Sequence, residues 1–163
     1  MSTSTPGVEP NLDSLTAEIT RVLGREHLAP DPNGIYLVFG SHRQLGYEPS
    51  FCGRHLSGMV QNVRVAVASI PEVIGNDCSL PSDVSSSQYS YWTRSAAEPI
   101  VHEIVEALTD PLIGRGWVDA DQREIGDPCE QGPAVEVKLN SSGPPWPLGP
   151  IWSNGSGCAV API

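Results

Sequence analysis

The sequence predicts a single α+β domain in which a small mixed or antiparallel sheet backs one principal helix, loop-rich and stapled by disulfides. Three observations predict it. Ile35-Tyr-Leu-Val-Phe39 is a continuous apolar run of strand length. Val63, Val65 and Val67 alternate with Arg64, Ala66 and Ala68, the period of a strand buried on one face. A helical stretch from about Ser95 or Glu98 to Thr109 is stopped by Asp110-Pro111, because the residue before a proline is driven out of the helical region. The 163 residues suffice for one ordinary core. Leu, Ile, Val and Phe make up 39 of them, above the roughly 20% below which a chain seldom offsets its ordering entropy.

Residues 1–10 are polar with two prolines and read as a disordered lead to a single domain over 11–163. From an N-cap at Asp13 or Ser14, Leu15, Ile19, Val22 and Leu23 recur at helical spacing and predict a short packing helix ending near Arg25. The turn-rich APDPNG stretch at 29–34 leads into Ile35–Phe39, which is expected to be the central strand, buried on both faces. Between Gly40 and Gly58 a loop or irregular strand holds His42, Cys52 and His55. Residues 75–95, with Tyr89, Tyr91 and Trp92, read as a long surface loop pinned by its aromatic rings. After the main helix come turns, a strand over Ala134 to Leu139, a rigid PPWP at 144–147 and a last strand at Ile151-Trp152.

Nine basic residues against nineteen acidic ones, a formal charge of −10, leave no clustered Lys or Arg to neutralise phosphates. Nucleic acid and anionic membranes are therefore excluded as partners, and no apolar run approaches the roughly 20 residues that cross a bilayer. The opening MSTSTPGVEPN has neither a basic nor an apolar region of the secretory type, so the sequence as written carries no signal peptide. Cys52, Cys78, Cys129 and Cys158 lack CxxC spacing, which argues against a zinc ribbon and for two disulfides. Of three connectivities, Cys52–Cys78 with Cys129–Cys158 closes the shorter loops and is the pairing expected. Asn140-Ser-Ser and Asn154-Gly-Ser are glycosylation sequons for an exported chain.

On a helical wheel Ile100, Val101, Ile104, Val105 and Leu108 share one arc, expected to face the core. His102, Glu103, Glu106, Thr109 and Asp110 take the opposite arc, with His102 and Glu106 one turn apart. This is the spacing of the zincin HExxH segment, whose first and fifth residues bind a metal while the second acts on water. Here the segment reads HEIVE, so Glu106 replaces the second histidine and hardens the donor set. Zinc remains the leading ion, with manganese, iron and calcium less remote. The expected metal ligands are His102, Glu106, Glu124 and Asp127, the last two from the acidic segment after Gly116-Trp117, with Glu103 as general base. Competing with this is a solvated amphipathic helix with no site at all. His42 and His55 read as loop or packing residues, His55 becoming a fourth ligand if the CGRH segment folds over the helix.

Taken in order, YLVFGS, FCGRH, GND-C, VHEIVEALTDPL, GW, EIGDPCE and the closing IW…C resemble the EXORDIUM-like, or phosphate-induced protein 1, family over about Asn11 to Cys158. The resemblance implies an extracellular or cell-wall glycoprotein on a metallopeptidase-like scaffold, similar to half a zincin, with His102, Glu103, Glu106, Glu124 and Asp127 on motif positions. The family's signal peptide and early strand have no counterpart here, and its glycine-rich stretch is reduced to Glu130-Gln-Gly-Pro. A missing strand would expose a sheet edge and favour self-association. The resulting expectation is an extracellular protein with a divalent-metal site, acting on a peptide or cell-wall component. An active zinc metalloendopeptidase and a non-catalytic structural or self-assembling domain are the alternatives.

Overall fold

The computed structural model describes residues 11–40, 51–71, 90–130, 132–138, 140–143 and 145–160. The expected disordered lead, His42, Cys78 and Tyr89 lie outside them. Helix α1 (Leu12–Arg25) begins one to two residues ahead of the expected cap, because Asn11 supplies it: its Oδ1 accepts the Ser14 backbone N–H at 2.9 Å. Leu15, Ile19 and Leu23, four residues apart, are buried on one stripe. Strand β1 (Ile35–Phe39), β2 (Arg54–Val60) and β3 (Val63–Ile70) form a mixed sheet in the order β1-β3-β2, with β1 parallel and β2 antiparallel to β3.

Two expectations about this sheet are corrected. The central strand is β3, flanked on both sides; among the described residues β1 is an edge strand, and its Phe39 is 59% exposed. An apolar run of strand length does not say whether its neighbours lie on one side or two. Residues 54–60 are a regular strand, joined to β3 by Gln61-Asn62 at φ 47° and 66°, the pair of left-handed residues that a tight hairpin turn demands.

The sheet's alternation gives it two unlike faces. Toward α1 point Leu56 and Val60 of β2, Val63, Val65 and Val67 of β3 and Tyr36 and Val38 of β1, closing with Leu15, Ile19 and Leu23 into one hydrocarbon cluster. Each such buried side chain contributes roughly 1.5–3 kcal/mol. On the opposite face His55 stands opposite Ala68, beside buried Ile70, and here helix α2 (Tyr91–Thr109) packs against β3 and β2.

Helix α2 starts earlier than expected, from an N-cap at Ser90, so Tyr91 and Trp92 belong to the helix rather than to a loop. Its orientation is the larger correction. Ser95, Pro99, Glu103, Glu106 and Ala107 are buried, whereas Leu108 is 67% exposed and the other members of the apolar arc are half-buried. The polar arc faces inward. Beyond it, β4 (Val135–Val137) pairs with β5 (Trp146–Leu148), which takes in part of the predicted PPWP rod and packs on α2; β6 (Ile151–Ser153) pairs with β7 (Gly157–Ala159), a strand not anticipated. Arg94 on α2 pairs with Glu136 on β4. Cys129 and Cys158 are disulfide-bonded as expected; Cys52 is also disulfide-bonded, but its expected partner Cys78 is not among the described residues. Among the described residues no helix is long and apolar enough to cross a membrane.

Candidate metal centre

The centre is assembled from three segments, each placed for a local reason. Helix α2 presents His102, Glu103 and Glu106 within little more than one turn. Strand β2 presents His55 from the α2 face of the sheet, because the Gln61-Asn62 hairpin sets its register so that Leu56 and Val60 take the hydrocarbon face and His55 the other. The third segment, Glu124-Ile-Gly-Asp127, is a tight bend running into a short 3₁₀ turn at Asp127–Cys129. The Glu124 N–H donates to Asp127 Oδ2 at 2.9 Å and the Asp127 N–H to the Glu124 carbonyl at 3.2 Å. Strand β6 holds the bend through the Trp152 N–H to the Ile125 carbonyl, and the Cys129–Cys158 disulfide anchors its end to β7.

Two glycines let these segments close. A Cβ on Gly126 would lie 2.5 Å from His102 Cε1 and 2.7 Å from Nδ1, so the bend's backbone rests directly on the imidazole. A Cβ on Gly53 would lie 2.6 Å from both Cγ and Oε1 of Glu103, so the segment leading into β2 walls that carboxylate in. No side chain larger than hydrogen fits either place without displacing a buried group.

The structure divides the four expected ligands between two groups that share Glu106. His102 Nε2 lies 3.0 Å from Glu106 Oε1 and 3.6 Å from Asp127 Oδ1. Glu124 turns away from this group to His55: its Oε1 is 3.3 Å from His55 Nε2, and Glu106 Oε2 is 3.4 Å from His55 Nδ1. One ligand atom from each of His102, Glu106 and Asp127, and likewise from His55, Glu106 and Glu124, falls within 4.8 Å of the others in its group. The four expected ligands thus fall in two triads that share Glu106, Asp127 lying with His102 and Glu124 with His55. His55, expected as a loop or packing residue, is a buried strand residue at the heart of one of them; the conditional reading, that CGRH folds over the helix, describes where it sits. Glu103, expected beside the attacking water, is 4% exposed and points to His55, with Oε2 at 3.8 Å from Nδ1.

The electrostatics follow from burying acids among imidazoles. Against the cost of burial, the flanking His102 and His55 hold Glu106 down to about 2. Burial alone would lower the histidines, but carboxylates outweigh it, Glu103 and Glu106 carrying His55 to about 10 and Glu106 foremost carrying His102 to about 9. Glu124 is pushed up to about 7, first by burial, with attraction from His55 not offsetting repulsion from Glu106 and Asp110. Asp110 resists its own burial by accepting the backbone N–H groups of Gly114, Arg115 and Gly116, which keep it below the usual carboxylate range. It caps the turn after α2, and its carbonyl oxygen accepts from His55 Nε2 at 3.1 Å.

A divalent cation fits this donor set on two counts. Glu106 is 3% exposed, and its buried Oε1, 3.0 Å from His102 Nε2, has no well-aligned hydrogen-bond donor, leaving acceptor capacity that a folded protein rarely leaves unused. Two donors about 2.0–2.2 Å from one ion in tetrahedral array stand roughly 3.3–3.6 Å apart; His102 Nε2 stands 3.0 and 3.6 Å from its two carboxylates, and one ligand atom from each member of either triad lies within 4.8 Å of the others. The fold and site thus define an α+β protein with a buried histidine–carboxylate centre able to hold a metal ion. No protein family, curated protein or solved structure matches this chain.

Proposed function

We propose that this chain is a metal-binding protein of the extracellular type whose ion is held by His102, Glu106 and Asp127, with zinc as the occupant. The observation that carries the reading is the burial of Glu103 and Glu106 on the face of α2 that a merely solvated helix would have turned to water. Burying a carboxylate without compensation is costly, and the described ion pairs of Glu103, Glu106, Glu124 and Asp127 are with His55 and His102. One imidazole with two carboxylates is a donor set zinc accepts. A bound ion at this position supplies a Lewis acid for a carbonyl group. In that setting Asp127 Oδ2 is tied to the Glu124 N–H while Oδ1 faces His102, so the ligand's orientation is set by its own bend.

Metal binding is favoured over active endopeptidase chemistry by the position of Glu103. A general base must reach water and substrate, and Glu103 is enclosed beneath Gly53 and turned to His55. Kinship with EXORDIUM-like proteins, and with it a cell-wall or peptide partner, rests on the motifs of the sequence. The disulfide and the exposed sequon residues Asn140 and Asn154 accord with an exported protein. Metal analysis of the purified chain, with melting before and after chelation, tests the proposal. Binding at 100 times the dissociation constant stabilises by about 2.7 kcal/mol, which for a domain of this size corresponds to a melting shift of roughly 5–10 °C. Less than about 0.1 equivalent of any divalent ion, with melting unchanged by chelator, would defeat it.

A further inference from the structure

We propose that the centre takes two divalent cations, the second held by His55, Glu106 and Glu124, with the Glu106 carboxylate bridging them. The inference rests on the metal-binding reading above and extends it to a site that the HEIVE motif does not contain. Its basis is the way Glu106 is shared. Its two oxygens do not serve one group: Oε1 faces His102 at 3.0 Å and Oε2 faces His55 at 3.4 Å. A carboxylate presenting one oxygen to each of two histidine-containing triads has the arrangement by which two ions about 3.5–4 Å apart share a ligand.

The surroundings of His55 point the same way. Its ring nitrogens are met by Glu103 Oε2, Glu106 Oε2, Glu124 Oε1 and the Asp110 carbonyl, and all four are acceptors. An imidazolium meets these acceptors by donating from both nitrogens; a neutral ring has one N–H, and a cation on its other nitrogen takes the place of the second proton. Glu124 Oε1 adds a buried oxygen without a hydrogen-bond partner, aimed at that ring. Charge gives an independent count. With all four carboxylates ionised, Glu103, Glu106, Glu124 and Asp127 bring four negative charges; protonating both rings leaves two uncompensated, one divalent ion at His102 beside a protonated His55 leaves one, and two divalent ions beside neutral rings leave none.

The triads differ in access. His102 and Asp127 retain 18% and 38% side-chain exposure; in the other triad His55 is enclosed and Glu124 retains 21%. Mixed nitrogen and oxygen donors suit a first-row divalent ion in both.

Loading the full-length chain with Mn2+ tests this without any substitution. The expected result is two equivalents bound and an exchange-coupled electron paramagnetic resonance spectrum. One equivalent with an isolated six-line spectrum would overturn the second site while leaving the single-ion reading intact; no bound ion would overturn both. Variants assign the ions. His55→Gln should retain one equivalent, with the six-line spectrum replacing the coupled one, and His102→Gln should do the same. If His55→Gln leaves stoichiometry and spectrum as in the parent, the second ion is not at His55.

Discussion

The two faces of the three-stranded sheet, a few ångströms apart across β3, solve burial in opposite ways. On the α1 face, Leu15, Ile19 and Leu23 meet Val60, Val65 and Val67, and stability comes from hydrocarbon withdrawn from water. On the α2 face, the helix turns Glu103 and Glu106 inward against His55 and leaves Leu108 outside. The first face is built of side chains that bind neither protons nor cations over the ordinary pH range. The second collects unlike groups whose stability depends on protons and cations. A single sheet thus separates scaffold from site, and β2 supplies both: Leu56 and Val60 to one face, His55 to the other.

The sharpest way to break this contrast is to damage one face and read the other. Ile19→Ala should cost about 2–5 kcal/mol, the usual loss for a truncated core residue. The loss should be the same with and without metal, checked by denaturant melts in chelator and in Zn2+. Gly126→Ala should act in reverse. Its methyl displaces the His102 ring, so metal affinity should fall roughly 10–100-fold, as for lost supporting contacts, measured by calorimetry, with a smaller loss of metal-free stability of about 1–3 kcal/mol from overpacking.

The pH dependence of the metal-free protein comes from the α2 face and has a defined sign. Glu124 is raised to about 7, so the folded state holds its proton more tightly and stability falls as pH rises between its ordinary value of 4.5 and 7. His102 and His55, raised to about 9 and about 10, contribute stability that is complete below 6.5 and is lost as pH climbs through those values. Glu106, lowered to about 2, works oppositely: its contribution is present above 4.5 and vanishes as pH falls toward 2. Metal-free stability should therefore decline from about pH 5 to pH 10, while metal affinity rises over the same range as ligands shed protons. Melting curves across pH with and without Zn2+ check both slopes. The smallest effect belongs to Leu108→Ser, expected within about 0.5 kcal/mol because that side chain is on the surface; a loss above 2 kcal/mol would mean that the apolar arc of α2 is buried after all.

Much of the scaffold was readable from residue order. The four-residue spacing of Leu15, Ile19 and Leu23 and the alternation of Val63, Val65 and Val67 predict α1 and β3, and both elements follow because each carries its pattern within itself. The β2 strand was legible only in part: Leu56, Gly58 and Val60 alternate, but the glycine hides the period, and Gln61-Asn62 lacks the usual glycine of a tight turn. The Cys129–Cys158 pairing was anticipated from loop length. For the site, His102, Glu106 and Asp127 were named and lie together, while Glu124, also named, lies beside His55. His55 was legible only conditionally, as a fourth ligand if the CGRH segment folded over the helix, since a contact between residues 55 and 106 has no local trace.

The sequence by itself determined the α+β class, the segments that become α1, β1, β3 and α2, and the residue types available for a metal, because spacing and turn chemistry act over a few residues at a time. Only the tertiary structure decided that β3 rather than β1 lies at the centre, that α2 buries its acidic arc, and that Glu106 is divided between His55 and His102. Those outcomes depend on what each face meets. A carboxylate opposite two imidazoles is better buried than exposed, and helical periodicity alone cannot reveal which partner waits across the gap.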